Sequence, residues 1–132
     1  MQVKGLFTVE LPSHPVAPGT EAAQLGRKAI HKQFAGELQG QSLGEMLSCM
    51  GTVPGSAGYV ALERFEGTLG GRRGSFALMH YGTMDRGQSG LRIEVVPDSA
   101  DGELQGLRGE MQIRIEAGQH HYQFDYRLSP EA

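Results

Sequence analysis

Apolar and polar residues alternate with period two along most of the chain, a pattern that predicts strands rather than helices. It is cleanest near the C-terminus, where His120, Tyr122, Phe124, Tyr126 and Leu128 alternate with His121, Gln123, Asp125 and Arg127. Leu107, Gly109, Met111, Ile113 and Ile115 alternate in the same way with Arg108, Glu110, Gln112, Arg114 and Glu116. Only Ala117-Gly118-Gln119 separates these two runs, so they form a hairpin. Leu91, Ile93 and Val95 make a shorter strand, closed by Pro97 and the turn-forming run Asp98 to Gly102.

Upstream, Gly58–Thr68 and Ser75–Met84 are two β-rich runs joined through a glycine-rich turn, Gly70 to Gly74. Val3 to Leu11 alternates at the start, and a proline-rich loop, Pro12 to Gly19, follows it. Thr20 to Leu25 has helical composition, with Thr20 placed to cap it. Beyond it, strands are expected over about 27–35 and 42–50.

Eight strands with short connections form a meander, and a meander of this length hides both edges by closing on itself. No long crossover helix is available for a parallel sheet. The expected fold is therefore all-β: one antiparallel closed barrel of about eight strands over residues 1–132, with a two-sheet sandwich as its rival. Twenty glycines, about twice the ordinary share of roughly 7%, sit between and inside the strands, where hairpins and barrel bends need them.

Charge narrows the partners. Twelve Lys and Arg against fifteen Asp and Glu are interspersed, with no basic run longer than Arg72-Arg73. Neither a nucleic-acid footprint nor a membrane-binding patch is expected. Cys49 is the only cysteine, so no internal disulfide can form. With no signal-type segment at Met1 to Gly5 and no long apolar run, a cytoplasmic location is the expectation.

Several motifs in order resemble a mainly bacterial family, domain of unknown function 3224. They are Lys32-x-Phe34-x-Gly36-x-Leu38, Gly44-Glu45-Met46-Leu47, and Gly55 to Arg64 in the form GSAGYVAxER. They continue with Gly67 to Met84 in the form GTLxGRxGSFxLxHxGTM, then Val95-Val96-Pro97-Asp98-Ser99 and Gly102 to Gly109. The resemblance spans about residues 4–128. It implies a barrel like that of allene oxide cyclase and brings no activity with it; shared architecture is not shared chemistry.

Candidate chemistry is sparse. His120 and His121 are adjacent and point to opposite faces of a strand, so they cannot chelate one ion, and His14, His31 and His80 are scattered. No metal or cofactor is expected. Pro54-Gly55-Ser56-Ala57-Gly58 fails as a nucleophile elbow at its first position. Gly67 to Gly74 lacks the following helix of a phosphate cradle and reads as a basic hairpin tip. Cys49 falls in phase with Leu43, Glu45 and Leu47 and reads as a small buried residue.

Polar groups on apolar strand faces carry the signal. Glu45 is in phase with Leu43 and Leu47, Glu63 with Tyr59, Ala61 and Phe65, and His80 with Phe76 and Leu78. Tyr122 heads the C-terminal aromatic stripe. If these faces point inward, Glu45, Glu63, His80, Tyr59 and Tyr122 line an apolar cavity with a few polar groups, the character of a small-molecule site.

The first expectation is thus a barrel that binds a small apolar or amphipathic ligand. The alternatives are an isomerase- or cyclase-type enzyme using an interior Glu as general base, and a structural barrel with a filled core. For Glu45 and Glu63 the bland reading is a pairing with Arg27 or Arg64. Apolar residues on outward positions, Val60, Leu62 and Met79, also raise the expectation of a homo-oligomer.

Overall fold

A computed structural model of the chain describes residues 1–128. The alternating runs become strands β1 (Gln2–Glu10), β3 (Gly26–Gly36), β4 (Leu38–Met50), β5 (Ala57–Leu69), β6 (Arg72–Asp85), β7 (Gln88–Val95), β8 (Arg108–Glu116) and β9 (Gln119–Arg127). A two-residue strand, β2 (Ser13–His14), adds to β3 from the proline-rich loop. From β3 to β9 each strand pairs antiparallel with the next, β9 pairs with β1, and β1 pairs with β3 from Gly5↔Gly36 to Glu10↔His31. That last pairing closes an eight-stranded meander barrel and excludes the two-sheet sandwich.

The β5–β6 turn shows why glycine is needed there. Gly70 and Gly71 both have left-handed backbones, φ +58° and +84°, as a two-residue hairpin turn with the barrel's twist requires. Thr20 caps no helix: its hydroxyl donates to the Ala17 carbonyl at 2.7 Å, and only a single 3₁₀ turn, Glu21–Ala23, follows. Gln24 with φ 56° ends it. Helical composition without an apolar face to bury does not extend a helix.

Inside, an aromatic ladder fills one half of the barrel. Phe7, Phe34, Phe65, Phe76, Phe124 and Tyr126 follow one another with ring centroids 5.0–5.7 Å apart. The segment after β7 folds back over this end and plugs it with buried Leu104 and Leu107. It is tied down by the Asp101 N–H donating to the Ser75 carbonyl, and by Asp101 Oδ1 accepting from the Ser75 N–H, both at 2.9 Å. Gly74 permits the plug to seat, because a Cβ there would run into the Asp101 carbonyl and the Leu104 side chain.

Strand β4 runs in the opposite phase to the expected one. Its inward positions are Leu38, Ser42, Gly44, Met46 and Ser48, while Leu43, Glu45, Leu47 and Cys49 face out. The cause lies in the neighbours. Glu63 and Tyr59 on β5 project large side chains inward, so β4 beside them offers small ones, and its larger apolar residues fall on the outer wall. Cys49 is accordingly exposed rather than buried.

A polar cluster at the open end of the barrel

The end of the barrel away from the Leu104 plug is built differently. Lys32 on β3, in phase with Ile30 and Phe34, turns inward. Its ammonium donates to Glu63 Oε2 at 2.8 Å and lies 5.0 Å from the ring centre of Phe7 and 5.8 Å from that of Phe34. Ser42 on β4 donates its hydroxyl to Glu63 Oε1 at 2.6 Å. His80 on β6 meets Glu63 Oε2 through Nε2, and its Nδ1 stands 3.3 Å from the Tyr59 hydroxyl.

Side chains from three strands thus converge on one carboxylate borne by a fourth, and that Glu63 side chain is 0% exposed. His80 Nε2 donates to the Glu63 carboxylate, which can only accept, and Nδ1 shares a hydrogen bond with the Tyr59 hydroxyl. The half-buried Tyr59 is the end of this chain nearest solvent.

Opposing effects set the charge state. Burial alone would raise the pKa of Glu63, but hydrogen bonding from His80 and the nearby charge of Lys32 outweigh it and bring the group down to about 2. The Tyr59 phenol moves the other way, raised by its burial and then by the Glu63 charge. Local sequence makes room for the arrangement: the Tyr59 ring lies over Gly82, where any Cβ would enter the ring.

Of the five residues singled out in the sequence, the structure gathers Glu63, His80 and Tyr59. Tyr122 is buried elsewhere. Its hydroxyl accepts from the Leu38 N–H at 3.1 Å and faces the carbonyls of Ala35 at 2.9 Å and Leu38 at 3.1 Å, so it ties the β3–β4 connection together. Glu45 is excluded from the interior. It pairs with Arg27 at 2.7 Å on the outer wall, and that hydrogen bond and charge hold its carboxyl below the usual range.

Lys32, which enters the sequence reading only as part of a family motif, and Ser42 are not among the candidate site residues of the sequence. A lysine between Ile30 and Phe34 on an apolar strand face was the available signal; Ser42 was hidden by the misplaced phase of β4. Among the described residues no three metal-type ligands converge. Clefts of about 780 and 590 Å³ lie on the wall around β1, β8 and β9, and neither is lined by Glu63, His80 or Tyr59.

Above the cluster the wall parts. Strands β7 and β8 pair only at Ile93↔Met111 and Glu94↔Glu110. His80 is the β6 partner of Ile93, so the seam ends level with it. Leu91, one inward step beyond Ile93, and Ile115, two inward steps beyond Met111, keep the inward phase yet stand 45% and 67% exposed. Leu91 pairs with Gly82, the residue under the Tyr59 ring, so this uncovered apolar group stands close to the solvent end of the Tyr59–His80–Glu63 chain. Ile115 pairs with His120, whose ring lies against Phe7.

The sequence profile of a protein family of unknown function, DUF3224, matches residues 3–126. The chain belongs to the DUF3224 family. Its fold is also that of a solved family member, a crystal structure at 1.84 Å resolution of a DUF3224 protein of unknown function from Shewanella oneidensis MR-1. The two are 51% identical over 98% of each chain, with a TM-score of 0.92. No curated protein matches the chain. Membership in the DUF3224 family therefore fixes the barrel and leaves its chemistry to the residues.

Proposed function

We propose that the chain is a small-molecule-binding barrel whose site is the gap between β7 and β8 above the Tyr59–His80–Glu63 chain. The observation that carries this reading is the exposure of Leu91 and Ile115 in inward phase at the end of the barrel that holds the polar cluster. Apolar groups of the interior left uncovered beside a few fixed hydrogen-bonding groups suit a ligand with an apolar body and one polar end. Tyr59 and His80 would meet the polar end. Glu63, held ionised, orients His80; a carboxyl with a pKa of about 2 is a poor general base at neutral pH. Any proton transfer at this mouth would run through His80 and Tyr59.

A filled structural barrel is the second reading, and one observation favours it. Among the described residues every buried side-chain nitrogen and oxygen already has a partner. Native mass spectrometry of the purified chain, followed by titration with an anilinonaphthalene sulfonate dye, separates the two. The binding reading expects a co-purifying small molecule, or saturable dye binding weakened by Leu91→Gln and Tyr59→Phe but not by Glu66→Gln, an exposed change on the outer wall. Absence of any adduct, together with dye binding indifferent to Leu91, favours the filled barrel.

A further inference from the structure

The outer wall of β4, β5 and β6 is apolar where a solvated barrel would be polar. Leu43, Leu47, Val60, Leu62, Met79 and Tyr81 all face outward and are 41–65% exposed. The strand register sets them side by side. One row runs Arg27, Leu47, Val60, Tyr81, Arg92, and the next runs Ala29, Glu45, Leu62, Met79, Glu94. Patches of this kind on a soluble chain mark an interaction surface.

We propose that this wall is the contact face of a homodimer. Charge placement selects a second copy as the occupant. The first row carries an arginine at each end, whereas the acids Glu45 and Glu94 stand in the second. A two-fold axis lying in the wall between the rows, and running along them, lays each row on the other row of the second copy. Val60 then meets Leu62 and Tyr81 meets Met79. Arg92 faces Glu94 of the second copy, and Arg27 comes beside Glu45 of the second copy. The patch is self-complementary, as an isologous interface requires.

Area agrees with this assignment. From the Leu47 row to the Leu43 row the patch covers about five residues of about 3.4 Å on five strands about 4.8 Å apart, a face on the order of 400 Å². That is enough for the apolar centre of an interface in which each partner contributes about 800 Å² with its polar rim. The neighbours set the phase of β4, and the interface accounts for why its outward positions Leu43 and Leu47 are apolar.

Sedimentation velocity on the full chain tests the proposal. The expected result is a species of twice 14.3 kDa at micromolar concentration. Leu62→Glu should weaken the dimer by about a hundredfold or more, with an unchanged circular-dichroism spectrum because the side chain is exposed. Arg92→Glu should also weaken it, and the exchange Arg92→Glu with Glu94→Arg should restore it. A chain that stays monomeric up to about 100 µM overturns the proposal. So does a dimer untouched by a folded Leu62→Glu variant, or a monomer that instead floats with phosphatidylcholine vesicles, which would make lipid the occupant.

Discussion

Lys32 and Glu63 face each other inside the barrel at 2.8 Å, their side chains 6% and 0% exposed, with the rings of Phe7 and Phe34 around the ammonium. Such a pair is retained only when both partners are satisfied, because desolvating either charge alone is expensive. Glu63→Gln strands the Lys32 ammonium and should destabilise by about 3–5 kcal/mol. Lys32→Met should cost less, because His80 and Ser42 still reach Glu63. In the double variant the loss should fall well short of the sum, with a coupling of about 1–3 kcal/mol in urea denaturation. Additive losses would show that the two groups do not sense each other.

Stability should also fall in acid for a nameable reason. Burial opposes the charge on Glu63, yet His80 and Lys32 bring its pKa from the ordinary 4.5 to about 2. The folded value lies below the unfolded one, so the stabilisation is complete above about pH 4.5 and is lost as pH falls toward 2. At about 1.4 kcal/mol per pH unit the loss is on the order of 3 kcal/mol. Unfolding free energies measured from pH 6 to 2.5 should show this decline, and Glu63→Gln should flatten it.

Much of this arrangement was legible in the amino-acid sequence. Period-two alternation located the eight main strands, and the phase of β5 and β6 turned Tyr59, Glu63 and His80 inward together. Strand β4 was misread because phase is judged from hydrophobicity, and there the apolar residues Leu43 and Leu47 line the outside. Glu45 and Cys49 went with them. Lys32 stands in a family motif but does not read as a site residue, because a charged residue on an apolar face has no visible counter-ion until β3, β4 and β5 are wrapped around one another. The parting of β7 from β8 is a matter of barrel closure, which local pattern does not encode.

Gly82 should tolerate no side chain while Tyr59 remains in place. A Cβ would enter the Tyr59 ring, and the ring cannot yield without leaving His80. Gly82→Ala should therefore cost about 1–3 kcal/mol, as overpacking does. Made in a Tyr59→Ala background the same substitution should cost much less. An equal cost in both backgrounds would place the constraint in the β6 backbone instead of the aromatic ring.

The narrow β7–β8 seam carries a charge conflict on its outer face. Glu94 stands opposite Glu110, and Glu110 stands opposite Asp125 on β9, so three carboxylates lie in one cross-strand row. Like charges directly opposite on neighbouring strands repel. Arg92 comes within 3.5 Å of Glu94, while Glu110 has no ion-pair partner among the described residues. Removing the middle charge should relieve both repulsions at once. Glu110→Gln should raise stability by about 0.2–1 kcal/mol in low salt. Because the row faces solvent, the gain should shrink as the screening length drops from about 10 Å at 0.1 M salt to about 3 Å at 1 M. Paired denaturation curves at the two salt concentrations measure it. A gain unchanged by salt would mean that the glutamine acts by packing or hydrogen bonding, and that the three carboxylates do not strain the seam.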